Sequence, residues 1–176
     1  MKEIIQIRAS SLGALFDCPK RWSAIHLEKK RLPSTGKSIL GKAIHASTAF
    51  YDQKVLDEDV VSVDESAAIA VEAIYKPNED VVWEEDCPQN DAEKIAISLH
   101  AKYCEYIAPK QTYKAIEIEC EQLEITDLGI ALTGTTDRIT ATQYGLGIAD
   151  LKTGKTVVSS DGTVKTQGHA FQQGVY

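Results

Sequence analysis

The 176-residue sequence has few cysteines, few aromatic residues and no long apolar run. Its four cysteines lie far apart without a CxxC pair, which argues against a compact zinc site and against a small disulfide scaffold. No apolar stretch approaches the ~20 residues that cross a membrane. The N-terminal letters MKEIIQ also lack the apolar stretch of a signal peptide. We therefore expect a cytoplasmic protein that is neither secreted nor inserted in a membrane.

Charge is distributed unevenly along the chain. The net charge of −7 disfavours a polyanionic partner, but residues 1–42 hold nine Lys or Arg against three Asp or Glu. Residues 43–130 hold six against twenty, and residues 131–176 hold four against three. Because charges act locally in physiological salt, over about 8 Å, the basic N-terminal segment and the near-neutral C-terminal third can face a phosphate backbone. The alternative is an ordinary solvated surface.

Apolar residues recur with a helical period in the first two thirds of the chain. Helices are predicted at 12–17 behind capping Ser10 and Ser11, from Pro19 onward, at 38–53, from a cap at Asp64 to before Pro77, and at 91–108. The segment 78–88 is acidic and is predicted to be a loop. Strand-like alternation follows at 115–121, 130–142 and 144–151, and a last helix is predicted over 165–176.

This layout predicts an α+β fold within one domain that covers residues 1–176. Residues 1–110 are expected to be mainly helical, and residues 111–176 to form a short mixed sheet of about three or more strands and the start of a following helix. The final predicted helix ends on the letters GVY without a cap or a polar tail. We therefore expect the natural protein to continue past Tyr176.

Two acidic residues and a lysine fall on the two strands at 130–142 and 144–151. The turn between these strands can bring Asp137 opposite Asp150, and Asp150 shares a strand face with Lys152 because one residue separates them. Carboxylates of this kind suit Mg²⁺ or Mn²⁺. Lys152 can orient or help to deprotonate a water molecule, or neutralise charge on a phosphate.

A structural role for the same residues is the alternative. The acids can lie at a sheet edge, paired with Arg138 and Lys152. Asp150, however, follows Ile148 and Ala149 in an otherwise apolar strand, where a charge is costly unless it is paired or bound to a metal. This observation favours a metal site.

The segments GTTDRI at 134–139 and DLKTG at 150–154 resemble the PD-(D/E)XK nuclease superfamily, and within it the RecB-type exonuclease branch. That branch includes the nuclease domains of recombination helicase complexes and CRISPR adaptation exonucleases. Three further pieces match in the same order: SSL with CPKRW at 10–12 and 18–22, GKAIH at 41–45 as a GxxxH motif, and Gln172 with Tyr176 as a QxxxY motif. The resemblance covers about residues 9–176.

The resemblance implies a restriction-endonuclease-like core and a divalent metal centre. Asp137 and Asp150 would hold Mg²⁺ or Mn²⁺ together with His45 and the backbone carbonyl of Leu151, and Lys152 would position the attacking water. A further acid is expected on the strand before the GxxD motif. Glu119 is the candidate, although three glutamates alternate there and the choice stays open: Glu117, Glu119 and Glu121.

Other residues are implied to contact DNA or to support the site: Gln172, Tyr176, Arg138, Lys20 and Arg21. Arg138 can pair with Asp137 or contact phosphate, and the sequence leaves both open. Some relatives bind a [4Fe–4S] cluster through a cysteine at the position of Cys18 and three more beyond the QxxxY motif. Such a cluster is expected here only if the natural chain continues past Tyr176.

The resemblance thus implies a metal-dependent deoxyribonuclease that digests DNA from its ends. The setting would be recombination, repair, phage DNA processing or CRISPR adaptation, with a helicase or a recombination or CRISPR protein as a partner. One alternative is a nuclease-fold module that binds DNA or organises a complex without cutting. The other is an unrelated α+β protein with coincidental motifs.

Overall fold

The computed structural model describes residues 4–154, 157–164 and 170–176. Six α-helices lie within this part of the chain: α1 (Leu12–Asp17), α2 (Pro19–His26), α3 (Gly36–Leu56), α4 (Val63–Tyr75), α5 (Gln89–Tyr106) and α6 (Ala170–Gln173). Within the same ranges, no helix is both long and apolar enough to cross a membrane.

Short strands complete the described structure. They are β1 (Ile5–Arg8), β2 (Ser34–Thr35), β3 (Val81–Val82), β4 (Tyr113–Glu119), β5 (Leu123–Ile125), β6 (Ile130–Thr133), β7 (Thr135–Thr142) and β8 (Gly145–Ala149). They form three sheets, in the orders β1-β6-β5, β2-β3 and β4-β7-β8. The chain divides into two compact units, so the expectation of a single domain stays a prediction.

The first unit comprises the described residues of Met1–Leu32, Ile118–Thr136 and Lys155–Tyr176. Its sheet is mixed, because β1 runs parallel to β6 and β5 runs antiparallel to it. Ile7, Leu12 and Trp22 form its buried core. The Trp22 Nε1–H donates to Ser11 Oγ at 3.0 Å, so the buried indole keeps a hydrogen bond and α2 is fixed against the turn before α1.

The second unit comprises Pro33–Glu117 and Asp137–Gly154. Its helices α3, α4 and α5 pack against one another through small and branched side chains. The buried members of this core are Ile39, Ala43, Ile44, Ala70, Ile74, Cys87, Ala92 and Ala96. Five of these eight positions are alanine or cysteine, which lets the helix axes approach closely.

Helix α3 begins at a position that only glycine fits. A Cβ on Gly36 would lie 2.7 Å from Cε3 of Trp83 and 2.8 Å from the carbonyl oxygen of Cys87. Thr35 caps the helix, since its side chain accepts a hydrogen bond from Ser38 N. The start of α3 is thereby fixed, which sets the positions of the polar side chains further along it.

The sheet of the second unit places strand β7 between β4 and β8. Strands β7 and β8 are antiparallel, with Arg138 opposite Ala149 and Thr142 opposite Gly145. Arg138 and Thr140 are buried, whereas the intervening Ile139 is only half-buried. The strand therefore places polar side chains on its enclosed face, the reverse of the usual pattern.

The predicted α+β class is confirmed, and all five predicted helices before residue 110 are present. Several details were wrong. Ser62, not Asp64, caps α4, and no side-chain cap bond is made by Ser11, whose hydroxyl donates to Arg8 O instead.

The strand predictions need more correction. The predicted strand 130–142 is two strands in different sheets, β6 and β7. Strands β1, β2 and β5 were not predicted, and β3 lies in the predicted loop 78–88. Within the predicted final helix, residues 165–169 lie outside the described residues, and α6 covers Ala170–Gln173.

Candidate metal centre and active site

Helix α3 carries His45 near its middle. Gly41 precedes it by one turn, and a Cβ there would lie 3.4 Å from Thr153 Oγ1. The helix therefore passes close to the loop that follows Asp150 and Lys152. Gly41 and His45 lie one turn apart on the side of α3 that faces this loop and the sheet, and a Cβ on Gly41 would make only an ordinary van der Waals contact.

Strand β7 carries Asp137, whose side chain is 14% exposed. Its Oδ2 accepts a hydrogen bond of 2.8 Å from the backbone N–H of Leu151 and lies 3.4 Å from His45 Nδ1. The backbone contact fixes the carboxylate, because the Leu151 side chain is itself packed into the core. Asp137 is therefore held in place before any ligand binds.

Glu117 approaches the same point from β4. Its φ of +51° is in the left-handed region, which a glutamate in a strand adopts only at a cost of about 1–3 kcal/mol. Such a residue interrupts strand alternation and redirects its side chain. Partial burial raises the pKa of the Glu117 carboxyl, and the nearby charge of Asp137 raises it further.

His45, Glu117 and Asp137 each offer one ligand atom, and these atoms lie within 4.8 Å of one another. We call these residues the metal triad. Among the described residues, no other His, Cys, Asp and Glu side chains form such a group. One imidazole nitrogen and two carboxylates suit Mn²⁺, Mg²⁺ or a related divalent ion. Burial is the larger cause of the raised pKa of Glu117, and repulsion by Asp137, which a bound cation would relieve, is the second.

Asp150 and Lys152 lie next to the metal triad along the sheet. Because Arg138 pairs with Ala149, the antiparallel register carries Asp137 opposite Asp150. The Asp150 side chain is 4% exposed, and Lys152 Nζ lies 3.0 Å from its Oδ1 and 2.8 Å from its Oδ2. The buried carboxylate is thus charge-paired. Asp150 is not one of the three clustered ligands, and its metal role, like that of the Leu151 carbonyl, stays a prediction.

Arg138 lies on the opposite face of β7 from Asp137. Its side chain is 3% exposed, and its partners are Asp52 Oδ2 at 2.7 Å and Thr48 Oγ1 at 2.8 Å. Its Nη1 lies 3.9 Å from Asp137 Oδ2, too far for a hydrogen bond. Of the two expected roles, pairing with Asp137 is present as a long ion pair beside the shorter one with Asp52, and the phosphate contact stays a prediction.

The remaining predicted residues belong to the first unit. Gln172 Nε2 donates to Tyr176 OH at 2.7 Å, so the QxxxY pair forms one hydrogen-bonded group. The Tyr176 ring covers Gly134, where a Cβ would lie 2.5 Å from its Cε1. Gly134 is therefore required to be glycine if this packing is to be kept.

The basic and thiol candidates of the first unit are accessible to different extents. Lys20 and Arg21 are exposed, and Arg21 pairs with Asp17 at 2.5 Å. Cys18 is half-buried and has a free thiol. Glu119 is exposed and is not a member of the metal triad. Their proposed contacts with DNA or with a cluster stay predictions.

Sequence reasoning did not single out Glu117 among the three glutamates, and it missed the partners of Arg138. The signal for Glu117 was hidden by its left-handed conformation. A signal for Thr48 and Asp52 was present, because they follow His45 at three and seven residues and so share its helix face.

Comparison with known proteins agrees with this geometry. The profile of the PD-(D/E)XK nuclease superfamily matches residues 6–176. A comparison with curated proteins finds no match. The family match includes every member of the metal triad together with Asp150 and Lys152, and the chain therefore belongs to the PD-(D/E)XK nuclease superfamily.

Proposed function

We propose that this protein is a divalent-metal-dependent deoxyribonuclease that hydrolyses phosphodiester bonds from a DNA end. The observation that carries the proposal is the metal triad beside the Asp150–Lys152 pair in a chain of a nuclease superfamily. Membership implies a nuclease hydrolase with DNA as substrate and divalent metals as cofactors. The restriction to DNA ends, and the assignment to the RecB-type branch, rest on the order of the five sequence motifs.

The metal triad would hold the ion. His45, Glu117 and Asp137 supply one donor atom each, and Asp150 and the Leu151 carbonyl are proposed as further ligands. When bound, the ion supplies a Lewis acid that stabilises the negative charge developing on the phosphate. The Asp137 carboxylate is held in position before the ion binds, because it accepts a hydrogen bond from Leu151 N.

Lys152 is proposed to act on the water and the phosphate. Its ammonium group lies within 3.0 Å of both Asp150 carboxylate oxygens, and an ammonium group carries three N–H donors. One would orient the attacking water molecule, and the positive charge would stabilise the phosphate oxygens as they gain charge. Asp150 keeps the lysine side chain at this position.

The remaining predicted residues are proposed to contact the DNA or to support the site. Lys20 and Arg21 are exposed cations of the basic N-terminal segment, and Gln172 and Tyr176 form one hydrogen-bonded group. A helicase or a recombination or CRISPR protein is proposed as the partner that presents the DNA end. Mg²⁺ and Mn²⁺ are both chemically suitable for the donor set.

Digestion of end-labelled linear DNA in Mg²⁺ or Mn²⁺ tests the proposal. We expect wild type to cleave, and Asp137→Asn and Lys152→Ala to lose at least about 100-fold in rate, the usual contribution of a positioned acid–base group. Asp127→Asn, a matched change at an acid in a turn of the first unit, should cleave like wild type. The released label reports the direction of digestion.

Direct Mn²⁺ titration distinguishes the proposed role of Asp137 in metal binding from that of Lys152 in positioning water. Asp137→Asn should lose Mn²⁺ binding, whereas Lys152→Ala should bind at least as well as wild type, because the variant no longer has a cation competing for Asp150. A wild type that binds Mn²⁺ and DNA without cleavage in either metal would contradict the enzyme and support the alternative, a nuclease-fold module that binds DNA without cutting. A wild type that binds no divalent ion would contradict both the metal site and the nuclease.

A further inference from the structure

A closed polar network lies behind the metal triad, on the other face of β7. It consists of Arg138 together with Asp52, Thr48, Tyr103 and Tyr113, and we call it the Arg138 network. Every one of its members is buried, and Asp52 and Thr48 are fully enclosed. The network connects α3, α5, β4 and β7, so it joins each element that contributes to the metal triad.

Asp52 is the centre of the Arg138 network. Its Oδ2 accepts hydrogen bonds from Arg138 Nε at 2.7 Å and from Tyr103 OH at 2.5 Å. The Tyr103 hydroxyl lies 3.0 Å from that of Tyr113, and the Arg138 guanidinium stands 5.7 Å from the centre of the Tyr103 ring. The buried positive charge is therefore matched by one carboxylate and one aromatic face.

Stability is a weak reason to keep such a network. Replacing a buried ion pair with apolar side chains of similar size is often neutral or stabilising, because desolvation offsets the attraction between the charges. The network also leaves polar capacity unused: Asp52 Oδ1 and Arg138 Nη1 are buried and make no hydrogen bond with any described residue. A network that leaves buried donors and acceptors without hydrogen bonds is better explained by the side chains that it positions than by a gain in stability.

The positions of the network residues on α3 show that the network holds this helix against strand β7. His45, Thr48 and Asp52 share one face of α3, at spacings of three and four residues. The first lies 3.4 Å from Asp137, and the other two bind Arg138. Helix α3 and strand β7 are thus joined by three polar contacts in succession along the helix. The contacts of Asp52 and Thr48 with Arg138 fix the position of His45 relative to Asp137.

The unused Nη1 of Arg138 strengthens this assignment. It lies 3.9 Å from Asp137 Oδ2, the oxygen that also faces His45 Nδ1 and accepts from Leu151 N. The buried guanidinium therefore lies beside the same carboxylate oxygen that faces His45.

We propose that Arg138 is a positioning residue: clamped by Asp52 and Thr48, it sets the spacing between His45 and Asp137 that the metal requires. The proposal rests on the proposed function, since the spacing matters only if these two side chains share a metal. Arg138 touches neither the metal nor the DNA in this assignment. Its effect is on metal affinity, transmitted through Asp137.

The test replaces the whole ion pair in the full chain with apolar side chains, Asp52→Leu with Arg138→Met. Unfolding midpoints report stability, electron paramagnetic resonance of free Mn²⁺ reports metal affinity, and digestion of end-labelled DNA reports kcat and KM. We expect a midpoint at or above that of wild type and an Mn²⁺ dissociation constant raised about 10- to 100-fold, the usual effect of removing a group behind a metal ligand. The KM for DNA should not change.

A matched control distinguishes positioning from general disturbance. Ser66→Ala removes another buried polar contact of the second unit, the 2.7 Å hydrogen bond between Ser66 Oγ and His100 Nε2, and should leave Mn²⁺ affinity unchanged. If the double variant does not fold, Thr48→Val decides, because it deletes one contact of Arg138 with little change in volume. It should weaken Mn²⁺ binding several-fold.

Each outcome is decisive. A folded double variant, or a folded Thr48→Val variant, that binds Mn²⁺ as tightly as wild type would overturn the clamp while leaving the nuclease intact. Loss of affinity in Ser66→Ala to the same extent would also overturn it, since any buried polar change would then suffice. A wild type that does not bind Mn²⁺ would remove the proposed metal site and the clamp together, and the wild-type measurement identifies that case.

Discussion

Asp137 and Arg138 are neighbours on one strand, but the two faces of β7 treat charge in opposite ways. On the enclosed face, Arg138 has Asp52 at 2.7 Å, and the charges balance. On the other face, Asp137 has a second acid, Glu117, within ligand distance, and its neighbours are His45 Nδ1 at 3.4 Å and Arg138 Nη1 at 3.9 Å. The charges of the enclosed face balance without a ligand, whereas the metal triad carries an excess of negative charge that an external cation would neutralise.

Unbalancing the charges on the enclosed face of β7 is expected to have the largest effect. Asp52→Leu leaves the Arg138 guanidinium buried without its carboxylate, and loss of one partner of such a pair costs about 3–5 kcal/mol. Adding Arg138→Met removes the unpaired buried charge and should recover most of the lost unfolding free energy. Urea unfolding of the two variants and wild type measures both steps.

An exposed ion pair of α3 provides the control. Lys54 Nζ lies 2.9 Å from Asp59 Oδ2, with the two side chains 35% and 55% exposed. Asp59→Ala should cost less than about 1 kcal/mol, as exposed pairs do. If Asp52→Leu cost no more than Asp59→Ala, the Arg138 guanidinium would have to reach water in the variant, and the face would not be closed.

On the face of β7 that carries Asp137, removing a charge is expected to stabilise the metal-free protein. The pKa of Glu117 is raised above its ordinary value of 4.5, first by burial and then by Asp137. The folded state therefore holds this proton more tightly than the unfolded state, and stability falls as pH rises from 4.5 through the raised pKa. At neutral pH the ionised carboxyl is destabilising without metal, so Glu117→Gln should raise the metal-free thermal midpoint by about 1–2 °C.

Bound Mn²⁺ is expected to reverse the order of the thermal midpoints of wild type and Glu117→Gln. Saturation at 100 times the dissociation constant stabilises a protein by about 2.7 kcal/mol, so Mn²⁺ should raise the midpoint of wild type and have little effect on Glu117→Gln. Glu119→Gln, the same substitution two residues further along the chain, is the matched control and should respond to Mn²⁺ like wild type. A loss of the response in Glu119→Gln but not in Glu117→Gln would assign the additional acid to Glu119 instead.

The sequence predicted the parts of this site that depend on regular periodicity. Helix α3 and the opposition of Asp137 to Asp150 follow from an amphipathic period and a short turn, because both are local properties of the chain. Strands β1 and β5 have only four and three residues, too few for a period to be detected. The break between β6 and β7 at Gly134 was hidden because similar alternation continues on both sides of it.

Glu117 and Arg138 illustrate two different limits of such reasoning. The left-handed backbone of Glu117 changes the direction of one side chain within a strand, and strict alternation assigns it the same face as Glu119. The partner of Arg138 is 86 residues away in sequence, so no local pattern links them. The spacing of His45, Thr48 and Asp52 does mark a polar face on α3, but only the structure shows what it binds.

The last prediction concerns another buried group of the second unit. His100 is fully buried, with Nε2 2.7 Å from Ser66 Oγ and 3.4 Å from Cys104 Sγ. Burial lowers its pKa, although the nearby charge of Asp52 acts in the opposite direction. The unfolded chain therefore takes up a proton near pH 6.5 that the folded protein resists, and stability should fall as pH drops below that value.

The loss from this histidine cannot exceed about 1.4 kcal/mol for each pH unit. Urea unfolding at pH 7.5 and 5.5 should show wild type losing more stability than His100→Gln, which keeps polar atoms but does not titrate. An equal loss in both proteins would mean that His100 is protonated inside the fold, stabilised by Asp52. The enclosed region would then carry a second positive charge, and the balance between Asp52 and Arg138 would no longer distinguish the two faces of β7.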